Sequence, residues 1–509
     1  MASYLLAHDL GTSGNKATLF TTDGVLVEST VYSYGLNVSA GHRAEQNADD
    51  WWRAVCETTR QLIEKAGIAP SDIEAVSFSG HMMGCLCVDR DGVPVRDSLI
   101  WADLRSSAEE ERIRRQISDE AYYYLTGQRL SASYSAPKLM WLKEHEPETY
   151  RKTYKTLNAK DYIILRLTGK FLTDPSDASG VGLMDIKKLQ WSDELLEICG
   201  LDREKYPDIV PSVSVSGQVT SEAAAQCGLC EGTPVVTGGG DGPCAAVGSG
   251  ITKEGVANLS LGTSSWISFA SRNPIVDDGM ISFSLAHIVP GYYMPCGPMQ
   301  CGGGSMSWAV RELYKDRTDD KNAVYADVNR CASVSPAGAK GLMFLPYLLG
   351  ERSPRWNNHA KGAYIGLTFE HTREDMIRAV MEGVGYNLNM ILEAFNKSEK
   401  RISELIVLGG GARNPAWLQI LSDIFGLPLN VPNYLEEAAS MGAAITAGVG
   451  VGAFADFGVI DKFLQNVSRF EPLANDGDRA VYREMQARFD ECYHALEQSC
   501  EGRIHRSDV

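Results

Sequence analysis

Over the first eighty residues polar and apolar positions alternate, and this pattern predicts a meander of strands. Residues 4–10, 15–21 and 25–33 read as strands, separated by the turn Gly11-Thr12-Ser13-Gly14 and by Asp23-Gly24. Period-two alternation bounded by glycine and aspartate is the mark of antiparallel ribbons. From Asn47 to Ala66 the spacing becomes helical, with Trp51, Val55, Leu62 and Ile63 on one face. The pair Trp51-Trp52 therefore reads as core. A further strand, Ile73 to Ser79, runs into Gly80-His81-Met82-Met83-Gly84. A meander followed by helix–strand alternation implies a mixed α/β domain.

Between roughly 104 and 230 the pattern is more helical, with a helix over Asp161–Leu167 and a loop over Asp174-Pro-Ser-Asp-Ala-Ser179. The apolar run Pro234–Thr237 then enters Gly238-Gly239-Gly240-Asp241-Gly242-Pro243, and Cys244–Gly248 starts a helix. The meander recurs through 256–295. Gly302-Gly303-Gly304-Ser305-Met306-Ser307 is a glycine turn opening a helix, and a long helix spans Arg373 to Phe395. A strand, Glu404–Leu408, enters Gly409-Gly410-Gly411-Ala412, and Asn414-Pro415 start another helix, asparagine at the N-cap and proline at the first helical position. The tail from Asp478 to Ser499 places Val481, Met485, Phe489 and Tyr493 at helical spacing. With no low-complexity linker in view, the domain boundary falls near Gly248, giving residues 1–247 and 248–509.

The second meander echoes the first. Leu10-Gly11-Thr12-Ser13-Gly14 and Leu261-Gly262-Thr263-Ser264-Ser265 are near copies, each at the end of a strand. Glycine and hydroxyls in such a turn offer backbone N–H groups to phosphate oxygens, and two of them half a chain apart suggest a duplicated domain that grips one polyphosphate. Length agrees, since 509 residues exceed one ordinary core. The net charge of −17 argues against nucleic acid or anionic membrane as partner. No apolar run is long enough to span a bilayer, and no basic region precedes an apolar leader. The twelve cysteines follow no disulfide spacing, and Cys227-Gly-Leu-Cys230 lacks a second pair, so reduced thiols and a cytoplasmic setting are expected.

The glycine run before Asp241 leaves one carboxylate at a strand mouth with nothing bulky around it. It is a tight turn that caps a helix, or a catalytic carboxylate. Its companions decide the matter. There is no GxxxxGK[ST], but two phosphate-type turns, the middle aspartate and the late strand–GGGA–helix together resemble the ATP-binding core of sugar kinases, actin and the Hsp70 chaperones. Ser133-Tyr-Ser-Ala-Pro-Lys138-Leu-Met-Trp141-Leu resembles the first signature of the FGGY carbohydrate kinases. Gly362–Leu367 through Asp375–Glu382 resembles the second, and Phe344–Pro354 the stretch that joins it to the late domain. The resemblance runs from residue 4 to about 452 and is strongest to the family's xylulokinase branch.

That resemblance implies two actin-like (ribonuclease H-like) ATPase domains and transfer of a phosphoryl group from ATP, with Mg2+, to the terminal hydroxyl of a ketopentose. D-xylulose going to D-xylulose 5-phosphate is the expected reaction; gluconate, erythritol or another polyol is the alternative acceptor. Asp241 would be the general base, and Asp9, with Asp241 beside it, would face the metal. Gly11, Thr12, Ser13, Gly262 and Thr263 would cradle phosphates, Gly303 and Ser307 would meet the nucleotide, and Gly410, Gly411 and Asn414 would hold the adenosine. A homodimer is also implied. Phosphoryl transfer needs positioning and charge neutralisation more than covalent help, which suits these residue types. The chaperone rival lacks a substrate-binding domain after the ATPase core, and a filament rival lacks the kinase signatures.

The sugar wall departs from the family pattern. Xylulokinases continue Gly-Gln-Met-His-Gly where this chain has Gly80-His81-Met82-Met83-Gly84, so Met83 stands where the family has histidine and an imidazole appears at His81. Strand periodicity would put His81 and Met83 on one face. His81 is either a sugar contact from a shifted origin or a buried core histidine. Trp101-Ala-Asp103-Leu-Arg105 resembles another pocket element, although Asp103 and Arg105 could equally be a surface pair. His359 reads as an exposed loop residue.

Overall fold

A computed structural model of the chain describes residues 3–277, 279–315, 320–397, 402–473 and 475–501. Two compact units result: Met1–Lys253, Ala270–Pro295 and Glu437–Gln465 form the first, and Glu254–Phe269, Cys296–Glu436 and Asn466–Val509 the second. The chain thus returns to the first unit twice after the second meander has begun. The second return is explained by packing: the apolar helix Ala438–Gly450 lies on the strands Tyr4–Leu10 and Ile73–Gly80 and against the helix Asp241–Gly248. The contact is so close that a Cβ on Gly248 would lie 1.8 Å from the Ala438 carbonyl oxygen.

In the first unit the sheet order is Val215–Gln218, Pro234–Val236, Ile73–Gly80, Tyr4–Leu10, Gly14–Thr21, Leu26–Ser33. The first three strands of the chain form the antiparallel ribbon that their alternation predicts, while Ile73–Gly80 joins Tyr4–Leu10 in parallel. Helix Ala48–Ala66 starts at Asn47, whose side chain accepts from Asp49 N–H, and ends at Gly67 in the left-handed region. Its Trp51, Trp52, Val55 and Leu62 join Leu6, Leu10, Ala17 and Leu19 in one core, as a stripe at helical spacing should.

One segment differs from the sequence reading. Residues 174–179 are not a loop: Pro175–Ser179 is a short buried helix whose N-cap, Asp174, accepts from the N–H groups of Ser176 and Asp177. Aspartate before proline is the same start signal as Asn414-Pro415. The polar composition of the turn conceals it.

In the second unit the Tyr293–Met299 strand, from Cys296 on, pairs with Ser265–Phe269, and the order continues Val256–Leu261, Glu404–Leu408, Leu429–Pro432, Asn466–Phe470. Val256–Leu261 repeats the first strand's arrangement, antiparallel to its hairpin partner and parallel to Glu404–Leu408. The tail helix, Asp476–Glu501, buries Tyr482, Met485, Phe489 and Tyr493 against Met343, Leu345, Tyr347 and Tyr386. Its apolar face is therefore used within its own unit. Among the described residues no helix is long and apolar enough to cross a membrane.

Candidate active site

In the first unit, the parallel register aligns Leu10 with Gly80 and Gly80 with Gly240. Three strand ends stand side by side, and the side chains just before or after them are Asp9, His81 and Asp241. The carboxyl ends of parallel strands are where open α/β sheets place their ligands. The glycine run has a steric reason: Gly238 has φ of 69°, and a Cβ there would sit 2.0 Å from the Phe78 carbonyl oxygen. Asp241 is the first residue of helix Asp241–Gly248, with Gly240 as its N-cap. It does not cap the helix; its Oδ1 accepts from Gly242 N–H at 2.8 Å. Its carboxyl is open to solvent on one side, but the protein crowding its other sides, with the Asp9 carboxylate nearby, pushes it up to about 6.

Asp9 is partly buried, and its Oδ1 accepts from Ser79 Oγ at 2.7 Å. Burial pushes its carboxyl above the usual range, opposed by the Ser79 hydrogen bond and by Lys16, which itself pairs with Glu437 at 3.6 Å. The turn that follows is held by side chains. Tyr34 Oη donates to the Gly11 carbonyl, Gln46 Nε2 to the Thr12 carbonyl at 2.7 Å, and Trp101 Nε1 to Thr12 Oγ1 at 2.9 Å. The Ser13 carbonyl accepts from Tyr34 N–H, and the Ser13 side chain is exposed.

The stretch after Gly80 corrects the strand-face reading. The strand ends at Gly80, and Met83 adopts φ of 66°, so His81 and Met83 do not share a face by pleat. The cause is Lys138, wholly buried, whose Nζ donates to the Met83 and Ser133 carbonyls at 2.8 and 2.5 Å. Burial brings that amine down to about 7. Sequence reading took Lys138 only as part of a signature; a lysine in an apolar helix stripe is the signal that points to a structural tether. Met83 lies against Gly180 and Met82 against Gly240. His81 is buried edge-on to Trp51, with ring centroids 5.3 Å apart, and neither ring nitrogen has a hydrogen-bond partner. Burial holds its imidazole near 4, hence neutral.

Asp103 and Arg105 are no surface pair. Both are buried; Arg105 bonds Asp103 and Glu45, and Asp103 Oδ2 also accepts from Ala44 N–H at 2.7 Å. Asp103 is therefore occupied as a brace of its loop, whereas Trp101 stands 46% exposed.

The second unit brings three glycine turns together. Gly303 N–H donates to the Gly262 carbonyl at 2.7 Å and Gly304 N–H to the Thr263 carbonyl at 2.9 Å. A Cβ on Gly303 would lie 2.4 Å from that Gly262 oxygen, and one on Gly411 would lie 2.4 Å from Leu261 Cγ. These contacts admit no side chain, and they leave a backbone-lined surface. Gly410 and Ser307 are exposed on it. Asn414 is buried, and its Oδ1 accepts from Trp417 N–H at 2.9 Å as the helix N-cap.

Sequence reading missed a buried ionic cluster in the first unit. Lys160 Nζ lies 2.7 Å from Asp161 Oδ1, 3.1 Å from Asp174 Oδ1 and 3.3 Å from Asp177 Oδ2. Only the pairing of a helix lysine with a DxxD segment hinted at it.

Two family profiles account for most of the chain: residues 4–248 match the N-terminal domain and 257–451 the C-terminal domain of the FGGY family of carbohydrate kinases. The protein is thus a sugar kinase on the two-domain, actin-like ATPase fold, with ATP as the phosphoryl donor. It belongs to the FGGY family. It is 34% identical to the xylulose kinase of Staphylococcus xylosus, over 89% of this chain and 92% of that one. It is 30% identical to the gluconokinase of Bacillus licheniformis, over 98% and 97%. The ligand-bound xylulose kinase of Lactobacillus acidophilus superposes with a TM-score of 0.90 at 28% identity, covering 98% of this chain and 99% of that one.

Proposed function

We propose that this kinase moves the γ-phosphoryl group of ATP to the terminal hydroxyl of D-xylulose, giving D-xylulose 5-phosphate. Asp241 carries the reading: a carboxyl raised to about 6 at a strand end can take a proton near neutral pH. Asp241 accepts the hydroxyl proton as the oxygen attacks phosphorus. Lined by His81, Met82, Met83 and Trp101, the strand ends hold the sugar, with Asp103 fixing that wall from behind. Gly11, Thr12 and Ser13 meet phosphate oxygens from the first half of the chain, residues 1–247. Gly262, Thr263, Gly303, Ser307, Gly410, Gly411 and Asn414 serve the nucleotide from the second, 248–509.

Mg2+ fits this carboxylate pair. The Asp9 carboxylate raises the proton affinity of Asp241, and burial raises that of Asp9, a strain that a hard divalent cation relieves. Asp9 would hold the ion, with Asp241 beside it, and the ion would neutralise charge on the transferring phosphoryl group. A gluconate-like acceptor is the second reading, favoured by Met83 in place of the family histidine and by the gluconokinase relative. The described cysteines are all free thiols, which supports a cytoplasmic enzyme. The proposed assembly is a homodimer; with the tail helix used internally, the dimer must form on another surface, and light scattering checks it.

An ADP-release screen over D-xylulose, gluconate and erythritol tests the acceptor; turnover confined to gluconate would transfer the assignment to the second reading. Asp241→Asn should lower sugar-dependent kcat by about a hundredfold or more while ATP still binds. In the wild type, kcat should fall about tenfold per pH unit below about 6, as Asp241 takes up its proton.

A further inference from the structure

The Gly239–Gly240 peptide, one residue before Asp241, is gripped from beneath. Gly240 N–H donates to Ser176 Oγ at 2.9 Å, and Ser176 Oγ donates to Asp174 Oδ2 at 2.6 Å. The same oxygen accepts from Ser212 Oγ at 2.7 Å, while the other Asp174 oxygen faces Lys160. Every side chain in this chain of contacts is buried. The fit is tight as well as polar: a Cβ on Gly239 would lie 2.6 Å from Ser176 Oγ and 2.0 Å from Ile288 Cδ1. Lys160 also reaches the neighbouring strand end, since a Cβ on Gly80 would lie 2.9 Å from Lys160 Cβ.

We infer that Ser176 is a positioning residue for phosphoryl transfer, fixing the peptide before Asp241 to the buried Asp174–Lys160 pair. A hydroxyl has one proton to give. Because Ser176 gives its own to Asp174, its lone pairs face Gly240, and the peptide can bond in one orientation only. Lys160 pairs with Asp174 at 3.1 Å and keeps it in place at a depth where a lone carboxylate would be costly to bury. Burial pushes the Asp177 carboxyl well above the usual range, with the Lys160 ammonium opposing the rise. The cluster is thus a rigid footing one peptide away from the base. Catalysis depends on such footing, since misplacement of a reacting group by about 1 Å costs about a hundredfold.

The inference rests on Asp241 being the proton acceptor, and the test separates the two. In the full-length enzyme with saturating Mg-ATP, Ser176→Ala should lower kcat for the sugar about ten- to hundredfold and leave both KM values within about twofold. Wild-type kcat in Ser176→Ala, alongside an inactive Asp241→Asn, would overturn the positioning role and leave the base in place. An active Asp241→Asn would overturn both. Should Ser176→Ala not fold, Ser212→Ala carries the test: it removes one donor from Asp174 and should give a smaller fall in kcat with both KM values unchanged, and unchanged kinetics would overturn the proposal.

Discussion

Leu10-Gly11-Thr12-Ser13-Gly14 and Leu261-Gly262-Thr263-Ser264-Ser265 are almost the same peptide at the end of equivalent strands, yet they are supported in opposite ways. The first is held by long side chains, those of Tyr34, Gln46 and Trp101. The second is held by backbone, through Gly303 and Gly304. The residue two places before the turn glycine differs too: Asp9 in the first, Ser260 in the second. Duplication has kept the turn in both units and the carboxylate in one. On the proposed reaction, the acid–base and metal roles fall on carboxylates of the first unit, while the turn of the second unit offers backbone N–H groups.

The contrast breaks most visibly at the glycines. Gly303→Ala puts a Cβ 2.4 Å from a backbone oxygen, whereas at Gly11 the nearest atom to an added Cβ is the Gly14 oxygen at 3.4 Å. Overpacking of this kind costs about 1–3 kcal/mol. Gly303→Ala should therefore reduce kcat/KM for ATP by about ten- to hundredfold, and Gly11→Ala by less than about threefold. Steady-state kinetics at fixed sugar checks both. Equal losses would mean that the two turns are supported alike after all.

A second contrast lies among the histidines of the first unit. His8, His81 and His287 are buried, with imidazoles brought down to about 3, 4 and 4 by desolvation; His42 and His145 are exposed, as are His359 and His494 of the second unit. For His81 the folded-state value lies below the ordinary 6.5, so the unfolded chain takes up the proton first as pH falls. Stability from this group is full above about pH 6.5 and is lost towards pH 4. His81→Leu removes the loss, so its stability relative to wild type should rise by about 2 kcal/mol between pH 7 and pH 5 in urea unfolding. The same variant decides the role of the ring. A several-fold drop in kcat/KM for the sugar is expected from one lost hydrogen bond, and unchanged kinetics would make His81 a core residue.

Much of this was legible along the chain. Glu404–Leu408 matches its expected bounds, and the Asn414 cap and the stripe of Trp51 and Leu62 follow from local rules that tertiary packing does not override. The tail helix was legible too, although its buried face turns from Val481 to Tyr482. What could not be read were relations between distant segments. Met83 leaves the strand because Lys138 holds its carbonyl, 55 residues away in sequence. The Asp103–Arg105 pair is buried because Glu45 and Ala44 close over it. The helix Ala438–Gly450 returns to the first unit through glycine and alanine contacts that leave no periodic mark.

The smallest effect tests the side-chain support itself. An indole N–H can only donate, so Thr12 Oγ1 must accept from Trp101, and the threonine's own proton is left for an incoming phosphate oxygen. Among the described residues no indole or amide side chain does the same for Thr263. Trp101→Phe keeps the ring and removes the donor. Because the indole is 46% exposed, water replaces part of the bond, and the loss should sit at the low end of about 0.5–1.5 kcal/mol, a two- to fourfold fall in kcat/KM. Thr12→Val removes the acceptor and the phosphate donor together, so its effect should be larger and should absorb that of Trp101→Phe. In a double-mutant cycle Trp101→Phe should then cost almost nothing in the Thr12→Val background. Full additivity would mean that Trp101 acts on the sugar alone, and the first turn would have to be held by Gln46 and Tyr34 without it.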